Sequence, residues 1–217
     1  MTLFQFTLIS AGSILLPFAV TLFRLSRLKK RYLPFLLLIW FGILNESTSY
    51  LRIQFGQTTA VNGNIYVLLN LILLIWFFYQ KRLNLPTYIF ISFLLIGIFV
   101  WVIDNLFLHS LHSNNSLFRM IASLLIVYLG IDKISQIVFF WENTEDRISD
   151  LLICSSLISY FTYKAFVESF HVFTLKMGYD FFHGLWFLLA IVNVITNCIF
   201  TIAILCIKPK QHYTSHI

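Results

Sequence analysis

The 217-residue chain is 59% apolar and 11% charged, with a mean hydropathy of +0.84. Soluble domains carry about 25% charged residues, so this chain lacks the polar surface to cover a water-soluble globule, and its 24 Phe alone would overfill an ordinary core. What remains is a polytopic membrane protein, whose net charge of +6 belongs to topology and calls for no nucleic-acid partner.

A helix crossing the hydrocarbon core needs about 20 mostly apolar residues. Seven runs meet that need: 3–23, 33–53, 64–80, 87–108, 117–137, 149–170 and 185–207. The first lacks a basic leader and is followed by RLSRLKKRYLP, the reverse of a cleaved signal peptide, so it is expected to be retained. The second opens at Pro34, where a missing N–H costs little, and carries LNESTSY with Glu46 inside it. QFGQTTAVNGN leads to the third, which holds Tyr66 and Asn70. The fourth opens after Pro86 and ends on Asp104 and Asn105, before the loop HSLHSNNS. Arg119 and Ser123 stand early in the fifth. WENTEDRISD precedes the sixth and HVFTLKMGYD the seventh.

These runs are continuous, without the alternation of a membrane barrel. Backbone groups in hydrocarbon must be satisfied within their own segment, so each run is a helix. The expected fold is therefore an all-α bundle of seven transmembrane helices in one domain over 1–207, with a short tail at 208–217. Seven spans put alternate loops on opposite sides. One side holds eleven basic residues (Arg24, Arg27, Lys29, Lys30, Arg31, Lys81, Arg82, Lys133, Arg147, Lys208 and Lys210) and the other four (Arg52, Arg119, Lys164 and Lys176). Positive charge favours the cytoplasm, which places the N-terminus outside and the C-terminus inside.

Depth follows from a rise of 1.5 Å per residue. Glu46 stands thirteen residues past Leu33, roughly 20 Å from the cytoplasmic edge. Asn70, Asp104, Arg119, Lys164, Glu168 and Asn193 fall in the same outer half. Spacing gathers them into faces: Ser156, Tyr160, Lys164 and Glu168 recur every four residues, as do Asn193, Asn197 and Thr201. Glu46 is grouped with Ser49 and Tyr50. A charge facing lipid at mid-helix costs about 2.5–3.5 kcal/mol, so these faces are expected to turn inward. Glu46, Asn70, Asp104, Arg119, Tyr160, Lys164 and Asn193 are the candidate ligand-binding residues, with Arg119 or Lys164 as counter-ion to Glu46. For Asn70, Asn193 and Asn197 the other reading is hydrogen-bonded glue between helices.

Other chemistry is poorly provided for. Cys154, Cys198 and Cys206 have no CxxC spacing and are expected to be small buried residues. His109 and His112, three apart, could pair with Asp104 or Asp180 as metal ligands, yet no HExxH spacing occurs, and neither a metal nor a cofactor is assigned. A retinal protein needs a lysine in the middle of its last helix, and none precedes Lys208 here. Only His183 stands where hydrolases related to alkaline ceramidase use paired histidines. No GxSxG or P-loop is present.

The order of features resembles the small seven-helix integral membrane proteins of Bacteroidota. The resemblance runs over nearly the whole chain: the basic cluster after the first run, the polar outer half of the second, NIYVLLN at 64–70 leading to WFFY at 76–79, SLL at 123–125, and Asn193 with Asn197. It implies a bacterial inner membrane and a seven-helix bundle, and carries over no site, because that group has no settled activity.

The expected function is a receptor-like or sensory protein of the lipid bilayer. It would bind a small extracytoplasmic ligand in an outward-open polar pocket and signal through a separate cytoplasmic partner. Two alternatives stand beside it. One is a small-solute transporter built from parallel three-helix repeats, suggested by Ser49-Tyr50 before Arg52 and Ser159-Tyr160 before Lys164. The other is a membrane-embedded lipid-modifying enzyme, for which no nucleophile or metal set can be assembled.

Overall fold

The computed structural model describes residues 3–81, 86–139, 146–173 and 178–209, whose regular elements are all helices, without a strand. The elements are α1 (Leu3–Gly12), α2 (Leu15–Arg24), α3 (Leu33–Gln54), α4 (Ala60–Lys81), α5 (Thr87–Val102), α6 (Ser116–Phe139), α7 (Arg147–Val172) and α8 (Tyr179–Cys206). Short 3-10 turns at Leu25–Arg27 and Lys30–Tyr32 link α2 to α3, and α5 runs on as a π-helical turn, Ile103–Leu108. Lys176, Arg82, Trp141 and tail residues 210–217 lie outside the described residues.

Each apolar run has become a helix, with informative departures. The first run is two helices, because Pro17 has no N–H and its ring excludes the carbonyl four residues back. The Ser13 carbonyl bonds instead to Leu16 N–H at 3.1 Å, and the axis bends there. α4 begins at Ala60, earlier than the apolar run, because Asn62 Nδ2 donates across to Asn45 Oδ1 (3.0 Å) and Ser49 Oγ (2.7 Å) on α3. α8 begins at Tyr179, where YDFFHG reads as a loop by polarity alone. Its first turn is held by ring contacts, Phe170 with Phe181 at 5.4 Å and His171 with Phe182 at 5.4 Å.

Five of the helical segments are long and apolar enough to cross a membrane: Leu8–Arg27, Ala60–Gln80, Thr87–Leu108, Ser116–Phe139 and Asp180–Cys206. α3 and α7 do not reach that hydropathy. They are the helices that carry LNESTSY and the Lys164–Glu168 stripe. α7 packs along both α6 and α8, α3 packs on α4, and α1 and α2 lie against α8. Along the α6–α7 seam Gly130 permits close approach, since a Cβ there would stand 2.9 Å from Ile158 Cγ1.

The end of the bundle that carries the basic cluster is closed by apolar packing. Phe35 meets Phe200 edge-on at 5.0 Å and Phe77 at 5.9 Å, with Leu74, Ile153 and Ile204 buried around them. Lys133, counted with the loop charges by sequence, is instead buried within α6. Asp146, just before α7, is buried and accepts from Lys29 Nζ (3.0 Å), from Arg31 and from the Lys208 backbone N–H (3.0 Å). Tyr32 donates to Asp150 Oδ1 at 2.7 Å, and Arg24 donates to the Ile204 carbonyl at 2.8 Å. These bonds tie the end of α2, the starts of α3 and α7 and the end of α8 into one layer.

Burial pushes the Asp146 carboxyl up, but the Lys208 N–H, Lys29 and Arg31 together outweigh it and hold the group below its ordinary value of 3.8. A carboxylate with a depressed value stabilises the fold above its unfolded value, and that contribution is lost as the pH falls through the folded value. The purified protein should therefore lose stability as the pH falls below about 4. Asp146→Asn, which leaves two cations facing a neutral amide, should cost about 2–3 kcal/mol at neutral pH and flatten that acid limb. Thermal melts across pH on both forms measure the two effects.

Candidate ligand-binding cavity

The inward faces of α3, α4, α7 and α8 meet, beside the α1–α2 bend, around a cavity of about 120 Å³. Five of the seven sequence-predicted residues line it: Glu46, Asn70, Tyr160, Lys164 and Asn193. Tyr66 and Asn197 join them, as expected from the stripes they belong to. The floor is apolar, with Leu38, Leu157 and Phe200, and below it lies the aromatic seal.

Helical spacing explains most of this lining. On α7, Tyr160 and Lys164 sit one turn apart and face the cavity, while Ser156, a turn earlier, is buried and bonded to the Leu152 and Ile153 carbonyls (2.8 and 3.0 Å). On α3, Glu46 faces the cavity, but Tyr50, one turn on, is 51% exposed and does not share its face. Gly42, one turn before Glu46, has no side chain because Ile14 Cδ1 occupies that space: a Cβ would stand 2.3 Å from it and 3.0 Å from Tyr66 Oη.

The polar groups differ in how they are satisfied. Asn193 Nδ2 donates to Ser10 on α1, to the carbonyl (3.2 Å) and the hydroxyl (3.1 Å), and Ser10 Oγ donates to the Ala190 carbonyl at 3.0 Å. Asn197 Nδ2 donates to Ser13 Oγ at 2.7 Å. Both asparagines therefore anchor α1 and line the cavity at once. Ser10 and Ser13 were not singled out in the sequence, since two serines in an apolar helix carry no signal until their partners are known. Asn70 is only 8% exposed, and its Oδ1 has no hydrogen-bond partner.

The expected ion pairs differ from those formed. Glu46 has only the Asn45 amide, at 3.4 Å, and among the described residues no cation lies within 4 Å of its carboxylate. Lys164 has no carboxylate partner within that distance either; its Nζ stands 5.8 Å from the Tyr160 ring centre and 5.7 Å from that of Phe161. Arg119 pairs instead with Glu168, Nη1 to Oε1 at 3.9 Å, and donates from Nη2 to Asn64 Oδ1 at 3.0 Å. Asn64 is fixed by donating to the Ser113 (2.8 Å) and Leu111 (3.2 Å) carbonyls and accepting from Trp101 Nε1 (3.1 Å). Arg119, Asn64 and Glu168 thus form a bar one layer outside the cavity.

Above the bar is an outer vestibule of about 380 Å³, lined by His109, Ser116, Arg119, Glu168, His171 and Trp186 among others. Asp104 borders neither space. It is fully buried in the π-helical turn, where Oδ2 accepts from the Phe118 N–H (2.7 Å) in the first turn of α6 and Oδ1 meets His109 Nδ1 (2.9 Å). It caps that helix and orients a histidine. The π turn also buries Asn105, which donates to the Trp101 carbonyl (2.9 Å) and accepts from Asn115 (2.7 Å).

His112 and Asp180 are exposed, and among the described residues no three His, Cys, Asp or Glu gather as a metal site. Cys154 is buried, whereas Cys198 and Cys206 are exposed on α8, contrary to the expectation that all three are buried. No protein-family model, curated protein or solved structure matches the chain.

Removing Arg119 should strand Glu168, whose side chain is only 5% exposed. Arg119→Met should destabilise the protein by about 3 kcal/mol, and adding Glu168→Gln should recover at least half of that loss. A double-mutant cycle in denaturant on detergent-purified protein measures the coupling.

Proposed function

We propose that this chain is a seven-span protein of a bacterial inner membrane that binds a small ligand in its outer half and passes the signal to a separate cytoplasmic partner. One observation carries the reading: Glu46 and Lys164 face the same cavity with opposite charge, and neither has an ion-pair partner among the described residues. An unpaired charge inside a bilayer is costly, and such residues mark functional sites by default. A purely structural role would have paired them, as Arg119 and Glu168 are paired one turn further out.

Five apolar helices support the membrane assignment, and the gathering of Arg24, Lys29, Arg31 and Lys208 at one end supports a cytoplasmic placement for that end. The resemblance in residue order supports the bacterial inner membrane. The aromatic packing of Phe35, Phe77 and Phe200 below the cavity favours a receptor over a carrier, which needs a polar route inward.

Two measurements test the reading. Cysteines placed at Lys29 and Ser113, in a background without the native three, should label from opposite faces of the membrane; labelling from one face removes the topology. In a thermal-shift screen, Glu46→Gln and Lys164→Met should each abolish stabilisation by the ligand most effective on the wild type, while leaving the unliganded melt within about 1 kcal/mol of it. Solute accumulation by reconstituted vesicles would replace the receptor with a carrier.

A further inference from the structure

The donor and acceptor inventory of the cavity constrains what can fill it. Asn193 Nδ2 donates twice to Ser10 and Asn197 Nδ2 once to Ser13, so each side chain holds its position through the amide nitrogen and has its acceptor oxygen left to present. Asn70 Oδ1 is a buried acceptor with no donor. Glu46 adds carboxylate oxygens bonded only to Asn45. The α3, α4 and α8 walls are therefore rich in acceptors and carry the negative charge. Lys164, on α7, supplies three N–H donors and the positive charge, beside the rings of Tyr160 and Phe161.

A ligand of a single sign would meet one wall and be repelled by the other. A neutral one would leave both charges unpaired. An ammonium with N–H groups satisfies both Glu46 and Asn70 Oδ1, whereas a quaternary ammonium has no proton to give to the amide. A space of about 120 Å³ is well below the 300–1,000 Å³ of drug-sized sites, so the polar part of the ligand is small.

We propose that the ligand is a small zwitterion whose positive end is an N–H-bearing ammonium facing Glu46 and Asn70, and whose anionic end, a carboxylate or phosphate, is held by Lys164. The proposal rests on reading this cavity as a binding site and names what that site accepts. The charge pattern fits both a free amino acid and an aminoalkyl-phosphate lipid headgroup. The cavity and the vestibule share no lining residue. The cavity instead shares Ala11, Glu46, Tyr160 and Asn193 with a side chamber of about 250 Å³ bounded by α1, α3, α7 and α8. Trp186 is the one residue that lines both this chamber and the vestibule.

The test uses the full chain in nanodiscs, with melting temperature as the readout. The probes are L-alanine, its N-trimethyl form, ethylamine, propionate, phosphoethanolamine and short-chain phosphatidylethanolamine. At least one N–H-bearing zwitterion should stabilise the protein. Ethylamine and propionate should each need at least tenfold higher concentration, and trimethylation should cost about the same factor. Glu46→Gln should weaken the zwitterion without weakening propionate, and Lys164→Met should weaken the zwitterion without weakening ethylamine. Stabilisation by the short-chain lipid but not by phosphoethanolamine upholds the charge pattern with a membrane source. Stabilisation by the soluble zwitterions upholds it with an aqueous one.

The proposal is overturned if a single-charge probe or the trimethyl form matches the zwitterion, or if no probe shifts the melt. If another class of compound stabilises the wild type and loses its effect in Glu46→Gln, the zwitterion is wrong and the binding site stands. If that compound acts equally on Glu46→Gln and Lys164→Met, the site itself is wrong.

Discussion

Hydrocarbon offers no hydrogen-bond partner, and the architecture follows from that constraint. α3 and α7 are less apolar than the five helical segments that hydropathy alone would place across a membrane; α7 packs between α6 and α8, and α3 against α4. Part of each polar set is turned inward: Glu46 on α3 and Tyr160 and Lys164 on α7 line the same cavity, while Ser47, Thr48, Ser155 and Ser159 are exposed. The cavity is the place where those faces fail to cancel: Asn193 and Asn197 find partners in Ser10 and Ser13, while among the described residues Glu46 and Lys164 have no ion-pair partner and Asn70 Oδ1 has no donor.

The two ends of the bundle use charge differently. At the basic end, Asp146 gathers Lys29, Arg31 and the Lys208 N–H and ties four chain segments together above a seal of phenylalanines. At the other end, Arg119, Asn64 and Glu168 join α4, α6 and α7 at longer range, and open space lies on both sides of them. A 3.9 Å ion pair between Arg119 and Glu168 is longer than the 3.0 Å pair of Lys29 with Asp146. Rigidity is concentrated at the sealed end, and room for rearrangement at the open one.

Much of this was legible in the sequence, and the rest was not for definite reasons. Continuous apolar runs locate helices because the bilayer fixes their length, and four-residue spacing assigns Tyr160 and Lys164 to one face because helix geometry is regular. Spacing gives a face but not a partner. Arg119 and Lys164 were equally good counter-ions for Glu46 by depth, and only the packing of α4 and α7 against α6 shows that Asn64 and Glu168 capture Arg119. Asp104 was placed among the pocket residues because the sequence does not announce a π turn, and that turn sends the carboxylate to the first turn of α6 instead. Tyr50 was grouped with Glu46 because they stand one turn apart, yet Glu46 sits at the edge of the inward face. WENTEDRISD offers several acids, and which one is buried depends on where the chain re-enters the bundle.

The choice between glue and pocket for Asn193 and Asn197 dissolves once the amide is considered atom by atom. A primary amide has two ends with opposite hydrogen-bonding character. Its NH₂ can hold α1 through Ser10 and Ser13 while its oxygen remains for whatever enters the cavity. A cation that engages such an oxygen polarises the amide and strengthens the bond at its other end. The anchoring of α1, just outside the bend at Pro17, and the occupancy of the cavity are then not separate functions of α8. They are two ends of the same side chains, so the hydrogen bonds that hold α1 and the groups that face the cavity are physically coupled.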